Sequence, residues 1–360
     1  MKGILTIEKK KKLHQGLVIP AHPLALTADR KINVQSQRRL TRYYLEAGAG
    51  GIAVGVHTTQ FAIRDAAHNL LEEVLTLASE EVAKHPRGSE VIRVAGVSGP
   101  TSQAVAEADL ARALGYDLAL ISPNGLQEWT EAQLLERAQK VSAVLPLFGF
   151  YLQPAVGGKV LGPKFWKAFA EIPNVCAIKI APFNRYQTLD VVRAVAASSR
   201  NEEIALYTGN DDNIVNDLLT TYEIMTPNGM IRKNIVGGLL GQWACWTSKA
   251  VELLEEIHAV KENASGHGSI PQLLSLGQKI TDANAAIFDA ANQFHGCIPG
   301  IHYVLQRQGL LDGIWCLDPG ETLSAGQADE IERVYDDYPE LSDDQFVSHF
   351  LQKDLQAHGH

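Results

Sequence analysis

A closed (β/α)8 barrel with a C-terminal helical extension is the fold that this 360-residue sequence predicts, and three observations carry it. Short β-branched runs recur eight times, segments of helical period alternate with them, and after Leu240 the pattern turns purely helical. Alternating strand and helix calls for a parallel sheet, and eight such units close into a barrel.

The runs fall at 16–21 (GLVIPA), 51–56 (GIAVGV), 91–98 (VIRVAGVS), 118–123 (LALISP), 147–154 (LFGFYLQP), 176–181 (CAIKIA), 204–209 (IALYTG) and 234–240 (NIVGGLL). Each is short and rich in residues that suit a buried strand. Amphipathic helices are predicted over 33–47, 101–114, 131–145, 163–172, 188–198 and 212–222. The competing doubly wound sheet would carry a glycine-rich phosphate turn after its first strand, and no GxGxxG follows 16–21. Beyond Leu240, helices are expected over 247–260, 269–294, 301–308 and 325–335, while the polar, acidic 338–360 reads as one more helix or a tail. The expected organisation is a catalytic barrel over 1–245 and a helical extension over 246–360, which explains the length without a second active domain.

Lys and Arg total 32 against 41 Asp and Glu, a formal charge of −9, which argues against a general affinity for nucleic acid or an anionic membrane. Hydrophobic residues make up 46%, enough for a large core. The four cysteines show no CxxC pair, as expected in a reducing cytosol, and neither a signal peptide nor a membrane span is read. The lysine run 9–12 is expected to be a solvated start. No HExxH, GxSxG or P-loop is present, so no metal and no cofactor is expected.

In a parallel barrel, alternate residues of a strand face the axis, and chemistry sits at the strands' C-terminal ends. In 176–181, bulky Ile178 and Ile180 suit the helix layer, which leaves Ala177, Lys179 and Ala181 facing inward. A buried lysine tends toward its free, nucleophilic amine, the form that adds to a ketone; a lysine snorkelling to the strand end or paired with a carboxylate is the other reading. By the same rule Phe148, Phe150 and Leu152 point outward, so Gly149, Tyr151 and Gln153 are expected inside. Tyr151 then becomes a candidate proton shuttle, or else a core tyrosine. The turn 55–60 (GVHTTQ) offers His57, Thr58 and Thr59 for a carboxylate, or for ordinary loop capping. In 208–213 (TGNDDN), Asp211 or Asp212 is a candidate helix cap.

These segments resemble the dihydrodipicolinate synthase and N-acetylneuraminate lyase family of lysine-dependent class I aldolases. The likeness rests on the proline-bearing first strand and the ITADG-like turn within 20–29, on GAGGIAVGVHTT, and on VAGVSGPTSQAVAEADLARALGYDLALISP. It continues through FYLQP, AIKIA, TGNDD, GGLLG and GIHYVLQRQGLLDG. The resemblance implies that Lys179 forms a Schiff base with a 2-oxo acid and that Tyr151 answers to the tyrosine of the family's YNxP motif. It implies that Thr58 answers to the second threonine of GTTGE, with His57, Thr59, Gly209, Asp211 and Leu240 binding substrate. Three departures count against a true dihydrodipicolinate synthase: His57 replaces the first threonine, Val156 stands where an arginine is expected, and Pro123-Asn124-Gly125 lacks a tyrosine.

The expected function is therefore a cytoplasmic lyase or aldolase acting on a pyruvate-type 2-oxo acid. A sugar-acid dehydratase with the same imine chemistry and a non-catalytic metabolite-binding barrel are the alternatives. Its expected partners are the small-molecule substrate and copies of itself in a tetramer or dimer, with no nucleic acid and no membrane.

Overall fold

The protein is described by a computed structural model that covers residues 4–262 and 268–358. In chain order its elements are α1 (Ile7–Gln15), β1 (Val18–Pro20), α2 (Val34–Glu46), β2 (Gly51–Val54), α3 (Leu71–Lys84), β3 (Ile92–Val97) and α4 (Thr101–Ala113). There follow β4 (Leu118–Ile121), α5 (Glu131–Ser142), β5 (Leu147–Leu152), α6 (Pro163–Ala170), β6 (Val175–Ala181), α7 (Arg185–Ala196), β7 (Ala205–Thr208) and α8 (Ile214–Leu219). The hairpin β8 (Thr221–Thr226) and β9 (Gly229–Leu240) precedes α9 (Thr247–Lys261), α10 (Ile270–Ile287), α11 (Cys297–Arg307), α12 (Gln327–Asp337) and α13 (Asp344–His358). Eight parallel strands separated by helices make the chain a (β/α)8 barrel with C-terminal helices. Among the described residues no helix is long and apolar enough to cross a membrane.

Two compact units divide the chain, one of Met1–Leu17 with Ile92–Leu239 and one of Val18–Val91 with Leu240–His360. In the first, β3, β4, β5, β6, β7 and β9 pair side by side in parallel. β4, β5 and β7 are buried at every position, as expected of parallel strands covered on both faces. The seventh helix differs from the 212–222 expected: α8 has six residues, and the β-branched stretch after it runs back as a hairpin, pairing Thr221 with Asn234 through Thr226 with Gly229. Pro227 and Asn228 make the tight turn, so β-propensity and turn chemistry override the helical pattern there. The later part of β9 is the eighth barrel strand, pairing Tyr207 with Gly237. A Cβ at Gly237 would lie 2.5 Å from both the N and O of Leu17, so only glycine fits where the chain segment 16–17 crosses the strand.

The lysine run is not wholly solvated. Thr6 caps α1 by accepting from Lys9 N, which turns Lys9 and Leu13 inward. Lys9 Nζ then donates to both oxygens of Asp117 at 2.9 and 2.7 Å, and Asp117 also accepts from Arg93 N. A helical period hidden inside four identical residues sends one of them to the core and leaves Lys11 in solvent.

In the second unit, β1 and β2 lie side by side through Gly50 N to Val18 O (3.1 Å) and His22 N to Ala53 O (2.8 Å). The tail 338–360 folds as α13, and two buried carboxylates join the C-terminal helices to α2. Asp354 receives a fork from Arg42 at 2.6 and 3.0 Å, and Asp343 accepts from Tyr43 Oη, Gln308 Nε2 and Ser248 N.

Replacing Lys9 by Ala strands the Asp117 carboxylate and is expected to lower unfolding free energy by about 1–3 kcal/mol, whereas Lys11→Ala changes it by less than about 0.5 kcal/mol. Urea midpoints of the two variants check this; equal midpoints would refute the anchoring role of Lys9.

Candidate active site

The register of β5, β6 and β7 aligns Phe150 with Lys179 and Lys179 with Tyr207, so these three side chains share one face. Lys179 is 8% exposed, and its Nζ lies 4.4 Å from the centroid of the Phe150 ring, over the electron-rich face that attracts an ammonium. Gly209, just past β7, faces the same chain: a Cβ there would lie 2.5 Å from Lys179 Cε and 2.8 Å from Ala181 Cβ. The lysine stem thus occupies space that any other residue at 209 would fill. Lys179, Gly209 and Ala181 come together, with Phe150 as a fourth member that the strand pattern did not select.

Tyr151 is on the other face, which corrects its expected inward position. Its ring packs on Trp166 of α6 at 5.1 Å, and its hydroxyl donates to Leu161 O at 3.2 Å and accepts from Leu161 N at 3.3 Å. Burial pushes its hydroxyl pKa up. Gly149 shares this helix-facing side, since a Cβ on it would meet Phe169 of α6 at 2.6 Å. The inward row is Phe148, which packs edge-on to Tyr207 at 5.2 Å, and Phe150. Bulk is a poor guide to facing in a strand buried on both sides. The legible signal lay in the next helix, where Phe165, Trp166 and Phe169 need small partners, and Gly149 is one.

The end of β7 is fixed by a polar cluster that sequence reasoning missed. Asp217 of α8 is 1% exposed and accepts from Thr208 Oγ1 at 2.7 Å, Asn210 Nδ2 at 2.9 Å and the Arg185 guanidinium. Asn210 also takes Phe183 N on its Oδ1 at 3.0 Å, tying the ends of β6 and β7 together. Neither expected cap is used: the residue at the start of α8 is Asn213. Asp211 is 9% exposed beside this cluster, and burial pushes the Asp212 carboxyl up. The sequence spacing of Thr208, Asn210 and Asp217 carried the signal, but it has no motif value by itself.

In the second unit, residues 57–59 form a single 3-10 turn after β2. Thr58 Oγ1 donates to Ala21 O at 2.8 Å, and Thr59 Oγ1 donates to His22 O at 2.6 Å while accepting from Gly55 N and Val56 N. Both hydroxyl protons therefore tie the turn to the end of β1. His57 packs against Phe61 at 5.9 Å. Leu240 is fully buried, and its carbonyl accepts from Ala21 N at 3.1 Å. The His22 ring beneath is held by Pro23 O and Thr41 Oγ1, and burial lowers its pKa to about 4.

A buried strand-borne lysine among small and aromatic neighbours is the kind of group that forms a Schiff base with a carbonyl compound. Residues 15–222 match the Dihydrodipicolinate synthetase family, and the chain belongs to that family, whose members are class I aldolases and lyases. It is 24% identical over 219 residues to N-acetylneuraminate lyase 2 of Escherichia coli O6:H1, covering 58% of this chain and 68% of that one. The N-acetylneuraminate lyase of Citrobacter koseri is 26% identical over 223 residues, with 58% and 69% covered. Among solved structures, dihydrodipicolinate synthase from Oceanobacillus iheyensis superposes with a TM-score of 0.72 at 16% identity, covering 92% of this chain and 99% of that one. N-acetylneuraminate lyase from Fusobacterium nucleatum, solved with pyruvate, gives 0.70 at 16%, with 91% and 99% covered.

Gly209→Ala is expected to displace the Lys179 side chain and reduce its trapping by a keto acid by about 100-fold, as for an ångström-scale misplacement of a reacting group. Quantitative borohydride labelling reads this, and undiminished labelling would refute the contact. His22 supplies a pH dependence. Its folded value of about 4 lies below the ordinary 6.5, so its contribution to stability is complete above pH 6.5 and is lost as pH falls from there through about 4. The loss amounts to about 3 kcal/mol at most. Urea unfolding of His22→Gln at pH 7 and pH 4.5 should show a smaller difference than the parent chain does; an unchanged difference would count against it.

Proposed function

We propose that the protein is a lyase or aldolase that forms an imine between Lys179 and the ketone of a pyruvate-type 2-oxo acid, and that it is not a true dihydrodipicolinate synthase. The observation that carries this reading is the buried Lys179 stem, seated against Gly209, Ala181 and Phe150 on one face of the sheet. Family membership and the pyruvate complex of a structural relative support the substrate class.

The neutral amine of Lys179 adds to the keto carbon, the carbinolamine loses water, and the resulting iminium withdraws electrons from the neighbouring carbon as its carbon–carbon bond is made or broken. Hydrolysis returns the amine. Phe150 holds the stem and shields it from water without supplying a proton. The Tyr151 hydroxyl is engaged with Leu161 on the helix side, so proton transfer is assigned to a group other than Tyr151. Val156, in the turn Pro154–Val156, cannot replace an arginine as an anion holder, which disfavours the synthase reaction. The free cysteines suit a reducing cytoplasm, and a homo-oligomer is part of the same proposal.

Borohydride reduction with pyruvate and a panel of longer 2-oxo acids, followed by peptide mass mapping, tests the imine. An adduct on Lys179 that is lost in Lys179→Met is expected; keto acid binding with no adduct would replace the enzyme reading with a metabolite-binding barrel. Product analysis then separates carbon–carbon cleavage from loss of water. Tyr151→Phe is expected to slow turnover by less than about ten-fold, where loss of a proton-transferring group costs about 100- to 10,000-fold. A loss in the latter range would place the phenol back in the chemistry.

A further inference from the structure

We propose that the small cavity between α5 and α6, lined by Arg137 and Trp166, is a binding site for one monatomic anion, a halide, of which chloride is the abundant member. Every residue lining it belongs to the first unit.

The site begins with an arginine in an apolar row. The buried face of α5 carries Leu134, Arg137, Ala138 and Val141, at the spacing of a helix stripe that packs on a core. The Arg137 side chain therefore goes inward, where the residue is 2% exposed. Its Nε donates to Gly99 O at 2.8 Å and its Nη2 to Val97 O at 3.5 Å, and among the described residues no carboxylate is in ion-pair contact with it. Glu107 acts on it only from a distance, and that carboxylate already accepts from Ser98 N at 3.0 Å and Gln103 Nε2 at 2.8 Å. Burial accordingly pushes the guanidinium down to about 10, a shift that Glu107 does not cancel. A cation held indoors without a counter-charge in contact is costly, and a small anion beside it would remove that cost.

Across the cavity, α6 presents Phe165, Trp166 and Phe169. Trp166 is 1% exposed and stands edge-on to both phenylalanines, yet its Nε1 has no hydrogen-bond partner. An indole N–H is a donor only, so this orphan, like the arginine, calls for an acceptor. The space between them is about 20 Å³, room for one water-sized guest and too little for a carboxylate or an oxyanion. The side chains around it are hydrocarbon or donor, and none is an acceptor. A metal cation would find no side-chain ligand there. A water could accept from Arg137 and Trp166, but it would find no side-chain acceptor for its own protons and would leave the charge of the guanidinium uncompensated. A halide accepts from both donors and supplies the missing negative charge.

The full chain is tested with bromide, which is located by its anomalous scattering, and with chloride. Crystals soaked in about 100 mM sodium bromide are expected to show an anomalous peak between the Arg137 guanidinium and Trp166 Nε1. In solution, the melting temperature in about 100 mM sodium chloride should lie about 2 °C above that in sodium gluconate of equal ionic strength, whose anion is too large to enter. Trp166→Phe keeps the ring and removes the N–H, and should raise the chloride concentration needed for half of this shift by about ten-fold. Arg137→Met should abolish the shift; should that variant fail to fold, the bromide map and Trp166→Phe still decide. No bromide at the cavity, bromide confined to surface cations, equal melting in chloride and gluconate, or a Trp166→Phe chain that titrates like its parent would overturn the proposal. None of these readouts depends on Lys179 or on turnover.

Discussion

The space required by one lysine stem governs the face of the sheet that carries Lys179. An amine carried on four methylenes into an apolar interior needs a channel free of side chains and a surface that tolerates its charge when protonated. Gly209 and Ala181 leave the channel, and the Phe150 ring supplies the surface. The channel persists because β7 is tied on both sides of Gly209. Gly209 N donates to Ile180 O at 2.8 Å, Thr208 donates to Asp217, and Asn210 bridges Asp217 and Phe183. The buried polar cluster at Asp217 is therefore a device for holding a glycine in place, and the glycine is a device for holding a lysine.

Strand order and the facing of Lys179 were readable because both depend on local pattern. Eight apolar runs separated by helical ones leave few topologies, and a lysine between two alanines in a strand of isoleucines has one comfortable side. Tyr151 could not be read this way. Phe148, Phe150 and Leu152 satisfy an outward row and an inward row equally well, and the choice is made by α6, whose Phe169 presses on Gly149. The same limit applies to β8 and β9, where a helical period over 212–222 overlapped a hairpin signalled only by Pro227-Asn228-Gly229. It also applies to Lys9, whose partner Asp117 stands more than a hundred residues away. In each case the deciding contact is tertiary, and a short-range rule meets two answers of equal merit.

On the proposed reading, an outward Tyr151 leaves proton transfer to other groups, since an imine requires protons to be delivered to a leaving hydroxyl and removed from an incoming amine. Water can do this if the lysine is held in line, because positioning contributes more to such a step than any single proton donor. Phe150, beside the Lys179 amine, offers no exchangeable proton, which suits an enzyme that relies on placement of the nucleophile.

The net charge of −9 takes on a different meaning once its carboxylates are located. Asp117, Asp217, Glu81 and Asp354 are spent in short-range contacts with lysine or arginine, and Asp343 on hydroxyl, amide and backbone donors. They serve as joints: Asp117 for the N-terminal helix, Asp217 for the end of β7, and Asp343 and Asp354 for the C-terminal helices on α2. Pairing leaves the net charge at −9, so a keto acid anion approaching the chain meets repulsion at long range that salt screens. What favours it is local and chemical. The affinity that the global field withholds must then come from local donors and from the covalent chemistry of a Schiff-base class of enzyme.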